Sequence, residues 1–432
     1  MKKAKANQLN FLSIVMLGIN AIIGSGIFLL PTTGMKLFGP ASILILIFDA
    51  ILAFTIGMCF AECSGLFDET GGSYIYADAA FGHFIGYEVG IAAWVIRIIA
   101  EASMYVALAT AIGGFFPSLN TPVAKNVIVS IIAILLMALN ISGIRMTAIL
   151  NNVVTAGKLI PIILVIVLGL FFIHPANFHP FFVPKLTTSG NFSNAALTLF
   201  YIFTGFEGLV VTAGDMKNVK KNLPRAVMLV LSIVAAIYIL VMVACIGVLG
   251  KGLANTTVPL QATLTRIMGP FGGILILIGS VLSIGGICIA QSFITPRSVV
   301  ALSKHGITPK FFEKTNKRDA PYVAIIFSTI LVLLLAYTGT FTKLAQISAV
   351  SRFAQFIPTC IAVIVFRHKM KNAKRSFKLP FGPVIPIIAV LVSLWLLINT
   401  DPSKLIWGFG SLIIAIPFYF VTRAYRKRKL NH

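Results

Sequence analysis

Six ionisable side chains interrupt long apolar stretches of this sequence. They are Asp49, Arg97, Glu101, Lys158, Glu207 and Arg352. A charge buried alone in apolar surroundings is costly, so such a group usually pairs with another charge, binds a polar ligand or carries a proton. The sequence therefore offers candidates for binding and proton transfer rather than for covalent chemistry.

Two of the apolar stretches also contain glycine-rich breaks. The first, NAIIGSGIFLLP, centres on Gly24-Ser25-Gly26, and the second, LFYIFTGFEGL, carries Gly205 and Gly208 around Glu207. Each glycine costs about 1 kcal/mol relative to alanine inside a helix. An unwound turn also frees N–H and C=O groups, which apolar surroundings tolerate only where a ligand or an aqueous cavity satisfies them.

The composition identifies those apolar surroundings as a membrane. The chain has 432 residues, of which 58% are hydrophobic and 11% are charged, and its mean hydropathy is +0.96. A soluble domain carries roughly 25% charged residues. The formal charge of +23 would suggest nucleic acid in a soluble protein. In a membrane protein it indicates basic cytoplasmic loops in contact with anionic lipid, so we expect a membrane-lipid partner and no nucleic acid.

Twelve apolar segments are long enough to cross a ~30 Å hydrocarbon core. They are residues 11–36, 40–63, 84–114, 123–143, 148–173, 194–213, 225–249, 270–300, 321–338, 342–366, 381–399 and 404–422. An even number places both termini on one side, and the bias of lysine and arginine predicts that this side is the cytoplasmic face of the cell membrane.

The two broken segments are the first and the sixth spans, five spans apart. Paired interruptions at corresponding positions are typical of transporters built from two inverted repeats around a binding site at the membrane midplane. The spacing therefore predicts a single transporter domain, 1–432, with repeats at 11–173 and 194–366 followed by two further spans at 381–422.

The chemistry of the breaks favours one ligand class. The helix that begins after a break presents N–H donors and a positive dipole end, which suits a carboxylate. The helix that ends before the break presents carbonyls, which suit an ammonium group. An α-amino acid carries both groups on one carbon, so the breaks predict a backbone receptor for the amino-acid zwitterion.

At these residues the sequence resembles the amino acid–polyamine–organocation superfamily of permeases, which have the LeuT-like fold. The resemblance covers nearly the whole chain and depends on four motifs in order. They are Gly24-Ser25-Gly26-Ile27-Phe28 with Pro31; Gly71-Gly72-Ser73-Tyr74 with Tyr76 and Phe81-Gly82; Lys217-Asn218 with Asn222-Leu223-Pro224-Arg225-Ala226; and Pro296-Arg297 with Ala301, Gly306 and Pro309-Lys310-Phe311-Phe312.

The resemblance implies roles for the residues of both breaks. Ser25 and Gly26, which follow Gly24, would bind the substrate carboxylate, and the carbonyls near Ile22 would bind its amine. In the sixth span, the resemblance implies backbone contacts from Ile202, Phe203 and Thr204. Tyr201 matches a gating aromatic of the arginine/agmatine antiporter branch, although an ordinary packing role for this residue stays open.

The resemblance also suggests how transport is coupled. Lys158 would stand where sodium-coupled relatives bind a cation, brace the first break and so make transport sodium-independent. Glu207 lies where many proton-linked members have an acidic residue. Both residues are candidates to carry a coupling proton, and a hydrogen-bonded structural carboxyl is the alternative for Glu207.

The remaining intramembrane charges bear on substrate selection. Arg97 and Glu101 are four residues apart on one helix face, so they either form an ion pair or leave Glu101 free to read the substrate side chain. We expect the pair to dominate, which favours neutral amino acids. Arg352 either pairs with an acidic group or reads acidic side chains, and Asp49 is expected to be structural.

These observations predict a sodium-independent amino acid permease that works by proton symport or exchange, as a monomer or homodimer. No catalytic motif, cofactor site or metal-ligand cluster is evident, so we expect no enzyme activity and no cofactor or metal. The alternatives are an antiporter of cationic amino acids or polyamines, a structural partner chain of a heteromer, and an amino-acid-sensing receptor without transport.

Overall fold

The computed structural model describes residues 11–67, 72–142, 148–211, 219–304, 306–373, 375 and 377–430. Within them the chain forms helices joined by turns and loops, with no β-strand. The α-helices are α1 (Phe11–Ile22), α2 (Ser25–Leu29), α3 (Pro31–Phe38), α4 (Ser42–Ser64), α5 (Ser73–Phe81), α6 (His83–Phe115), α7 (Pro122–Ile141), α8 (Ala148–Phe171), α9 (Ser189–Phe200), α10 (Glu207–Val211), α11 (Val219–Leu249), α12 (Pro259–Met268), α13 (Pro270–Lys304), α14 (Tyr322–Ala336), α15 (Phe341–Lys369), α16 (Val384–Ile398) and α17 (Pro402–Leu430). Gly71 and Lys217-Asn218, which belong to two of the resemblance motifs, lie outside the described residues.

The predicted membrane spans correspond to helices of the structure. Among the described residues, seven helical segments are long and apolar enough to cross a membrane. Three shorter apolar segments, Gly157–Phe171, Tyr322–Ala336 and Val384–Ile398, add to them. With the two interrupted segments they account for the twelve predicted spans, so the protein is an all-α, multi-pass membrane protein. Its division into two inverted repeats stays a prediction.

Two helices, α5 and α12, lie where the sequence predicts only loops. They contain 9 and 10 residues, too few to cross a membrane, so a search for long apolar segments passes over them. Hydrogen bonds fix both ends of α5 to α15. Ser73 Oγ donates to Gln355 Oε1 at 3.0 Å, and Lys369 Nζ donates to the Ala80 carbonyl at 2.9 Å.

A buried carboxylate joins the end of α4 to the end of α15. Glu62 is 1% exposed and accepts from Arg367 Nε at 2.9 Å and from an Arg367 terminal nitrogen at 2.6 Å. The Leu379 N–H, in the segment after α15, donates to the same carboxylate at 2.7 Å. Because these donors satisfy both oxygens, the pair compensates much of its own burial cost.

Helix α8 packs tightly on α13 around a proline. A methyl group built on Gly279 of α13 would lie 2.2 Å from Pro161 Cγ of α8, so only glycine permits this approach. Proline has no N–H to donate to the carbonyl four residues earlier, which belongs to Gly157. The backbone of α8 is therefore weakened one turn around Lys158.

Candidate functional site

The first break separates α1 from α2. Helix α1 ends at Ile22, and α2 begins at Ser25 after an extended Gly24, whose φ and ψ are −124° and −147°. Ser25 and Gly26 are buried at the start of α2. The hydroxyl of Ser25 is also buried and makes no hydrogen bond with the described residues. The break thus presents backbone N–H groups and one unsatisfied hydroxyl at the same place.

Side chains from two other helices satisfy the carbonyls at the end of α1. Lys158 Nζ, from α8, donates to the Asn20 carbonyl at 2.8 Å and to the Ile23 carbonyl at 2.7 Å. Tyr238 Oη, from α11, donates to the Ile22 carbonyl at 3.2 Å. In a continuous helix these carbonyls would accept from N–H groups four residues further on. Sequence reasoning missed Tyr238, because only its contact with the break distinguishes it from other aromatic residues.

The second break lies between α9 and α10. A short 3₁₀ turn, Tyr201–Phe203, follows α9, and Thr204 is extended with φ −76° and ψ 152°. Gly205 has φ +116°, a conformation that favours glycine, and its N–H donates to Glu207 Oε2 at 2.9 Å. The other oxygen of Glu207 forms an ion pair with Arg352 of α15. Of the two roles considered for Arg352, the structure shows the pairing with an acidic group.

The two breaks are in direct contact. A methyl group built on Gly205 would lie 2.4 Å from the Ala21 carbonyl oxygen. One built on Gly26 would lie 2.6 Å from the Ile202 side chain and 3.3 Å from the Tyr201 ring. The structure therefore brings together the candidate residues that the sequence places in two distant spans, and glycine is needed at each point of closest approach.

The structure does not contain the expected ion pair between Arg97 and Glu101. Tyr105 Oη instead donates to Glu101 Oε1 at 2.6 Å, and Glu101 Oε2 is buried without a hydrogen-bond partner among the described residues. Both Arg97 and Tyr105 lie four residues from Glu101, so spacing alone did not decide between them. A phenol also costs less to bury than a guanidinium, which favours Tyr105 as the partner.

Ser103 is a site residue that sequence reasoning missed. Its Oγ lies 2.8 Å from Tyr201 Oη, which links α6 to the 3₁₀ turn of the second break. It also donates to the Ala100 carbonyl at 2.7 Å. A small polar residue in an apolar span was the available signal. Asp49 of α4 is fully buried without a hydrogen bond to the described residues, and the contacts in the structure assign it no place in this site.

A small apolar cavity adjoins the breaks. Its volume is about 10 Å³, and its lining includes Gly26, Ile27, Leu199, Ile202 and Tyr238. This is about the space that one water molecule needs. A larger ligand would therefore have to displace the side chains around the breaks.

The comparison with protein families agrees with this geometry. A family model described as amino acid permease matches residues 9–421. The chain belongs to the amino acid permease family. It is therefore a transport protein of the membrane and not an enzyme, and its substrate is a small molecule of the amino-acid class.

Individual relatives of this permease come from Bacillus subtilis. It is 30% identical to the serine/threonine exchanger SteT, over 98% of both chains. It is 27% identical to the branched-chain amino acid permease BcaP, over 97% of this chain and 94% of the relative. It is also 27% identical to a methylthioribose transporter, over 95% and 93% of the two chains.

Proposed function

We propose that this permease moves neutral α-amino acids across the cell membrane by alternating access, without sodium and by exchange or proton symport. The observation that carries the sodium-independent part is the position of Lys158. Its ammonium donates to the Asn20 and Ile23 carbonyls, so a fixed positive charge already occupies oxygens that a bound cation would need. A permease so arranged requires no sodium ion to stabilise its first break.

The amino-acid backbone would bind between the two breaks. The N–H groups at the start of α2 and the unsatisfied Ser25 hydroxyl suit the carboxylate. The Ile22 carbonyl accepts one hydrogen bond from Tyr238, and its second lone pair suits the ammonium. The turn at Ile202, Phe203 and Thr204 would close the site from the second break, with Tyr201 above it.

Two observations support a neutral side chain. Glu207 and Arg352 compensate each other, so neither presents a free charge to a substrate. Two of the relatives are named for serine, threonine or branched-chain amino acids, all of which are neutral. The absence of the Arg97–Glu101 pair removes the original reason for this expectation, but these two reasons are independent of it.

Glu101 supports a second candidate, transport of cationic amino acids or polyamines. Its Oε2 atom is buried and makes no hydrogen bond with the described residues, and a carboxylate in that position attracts a cationic side chain. Competition at neutral pH separates the two candidates. Unlabelled alanine, serine, leucine, lysine and glutamate would compete with labelled substrate. Strongest competition by lysine, lost in Glu101→Gln alone, would identify a cationic transporter.

For the coupling proton we propose Lys158 rather than Glu207. A proton on Glu207 would leave Arg352 as an uncompensated buried charge, whereas Lys158 forms no ion pair with any described residue. Proteoliposomes distinguish the two coupling modes. Uptake that requires internal amino acid indicates exchange, and uptake driven by a pH gradient into empty vesicles indicates proton symport.

The sodium test addresses the proposal most directly. We expect uptake of labelled serine or leucine into proteoliposomes to change less than twofold when choline replaces sodium, because Lys158 supplies the positive charge. A strict requirement for sodium would contradict this proposal. Both termini are proposed to be cytoplasmic, which protease accessibility of a C-terminal tag in oriented vesicles can check.

A further inference from the structure

A cleft opens between the end of α7 and the loop that joins α13 to α14. Its volume is about 550 Å³. One wall consists of Met137, Ala138 and Ile141 from α7, and the other contains Lys317 and Arg318 from the loop. An apolar wall thus faces two exposed cations, an arrangement that the transport site does not use.

The apolar wall continues onto the outer face of α7. Four large hydrophobic side chains on this helix are exposed, namely Ile131, Ile134, Leu135 and Leu139. In a membrane protein such a face contacts acyl chains. The cleft therefore opens onto lipid on its apolar side, and a ligand that fills it can extend an acyl chain along α7.

The loop holds its two cations in place at the end of α7. Asn316 Nδ2 donates to the Ile141 carbonyl at 2.8 Å, and Asn316 Oδ1 accepts from the Arg318 N–H at 2.9 Å. Arg318 also donates to the Ser142 carbonyl at 3.1 Å. Lys317 makes no hydrogen bond or ion pair with the described residues, so its ammonium is available. Across this loop, Lys310, Lys314, Lys317 and Arg318 outnumber Glu313 and Asp319.

We propose that this cleft binds one anionic phospholipid, with its phosphate at Lys317 and Arg318 and an acyl chain along Met137 and Ile141. Charge complementarity selects an anionic headgroup, and the apolar wall selects a lipid rather than a soluble phosphate. Each basic residue near a membrane surface contributes about 1 kcal/mol toward anionic lipid, which corresponds to about a fivefold change in affinity.

Native mass spectrometry of the full-length protein, titrated with phosphatidylglycerol or phosphatidylcholine, tests the site. We expect preferential retention of phosphatidylglycerol, about fivefold weaker in Lys317→Gln and more than tenfold weaker in Lys317→Gln/Arg318→Gln. The matched control Lys310→Gln/Lys314→Gln makes the same change of charge outside the cleft and should retain lipid as the unmodified protein does. Thermal unfolding of each variant in detergent confirms that it is folded.

Two further measurements keep the proposal open to refutation. Ala138→Phe fills the cleft without changing its charge and should weaken retention of phosphatidylglycerol. Millimolar inorganic phosphate should leave the bound lipid in place. Equal loss of lipid in the control variant, unchanged retention in Lys317→Gln and Ala138→Phe, or complete displacement by phosphate would each overturn the proposal.

Discussion

The exposed backbone groups at the first break are carbonyl oxygens at the end of α1, and a cation, Lys158, donates to two of them. At the second break the exposed group is the Gly205 N–H before α10, and an anion, Glu207, accepts from it. The sign of each charge follows the polarity of the helix end that it meets. The two breaks differ in compensation, because Glu207 is paired with Arg352 whereas Lys158 forms no ion pair with any described residue. The first break is thus the one at which a proton or a substrate charge has the largest effect.

The largest effect is expected where compensation is removed from the second break. Glu207→Gln or Arg352→Gln alone leaves one buried charge unpaired, and we predict a loss of about 3 kcal/mol in the free energy of unfolding. The double variant removes both charges and should lose about 1 kcal/mol. Denaturant unfolding of the purified protein in detergent, read as a double-mutant cycle, measures the difference. Additive single losses would show that the two charges do not compensate each other.

The contact between the breaks predicts a somewhat smaller effect. Gly205→Ala combines a strained positive φ with a contact of 2.4 Å to the Ala21 carbonyl, so we expect about 2 kcal/mol of destabilisation and at least tenfold slower uptake. Gly208→Ala is the matched control, since a methyl group there meets nothing within 4 Å. Uptake assays and thermal unfolding compare the two variants, and equal behaviour would refute the close contact.

Loss of the cation at the first break should act mainly on transport. Lys158→Met leaves the Asn20 and Ile23 carbonyls without their donor, at about 1 kcal/mol each, but it also removes the cost of a buried ammonium. We therefore predict a net loss of stability below 2 kcal/mol together with loss of uptake. Tyr238→Phe removes one neutral hydrogen bond from the same break and serves as the comparison. If both variants transport equally well, the charge of Lys158 has no role in transport.

The smallest effect is expected at the hydroxyl that joins α6 to the second break. Ser103→Ala removes the contact with Tyr201 Oη, and we predict about 1 kcal/mol, seen as a roughly fivefold higher KM for serine. Ser298→Ala is the control, because Ser298 makes a similar bond to a carbonyl of its own helix, Ile294, but does not contact the site. An unchanged KM in Ser103→Ala would exclude Ser103 from positioning the turn.

Membrane spans and breaks were predictable because each depends on local composition. Twenty apolar residues must cross the membrane, and glycines at the centre of a span need a backbone ligand, whatever the rest of the chain does. Helix α5 was not predictable in this way. It is short, and contacts with α15 hold it, including Ser73 to Gln355 and Lys369 to Ala80.

The partners of buried charges were harder to infer. Glu101 has possible partners four residues away on both sides, and the sequence contains nothing that ranks Tyr105 above Arg97. Glu207 and Arg352 lie in different spans, so only the packing of α10 against α15 brings them together. The contact of Lys158 with the first break was expected only through resemblance to a family, since spacing alone does not show which helix a lysine faces.

Pro161 gives the cation of the first break a mechanical property. Its ring fits the notch at Gly279, which fixes α8 on α13 at one point, while the missing bond to the Gly157 carbonyl allows the helix to bend next to that point. Lys158 lies within this turn. The ammonium can therefore move towards or away from α1 as α8 bends about its proline, and the two carbonyl contacts can open and close without unfolding a turn of α8.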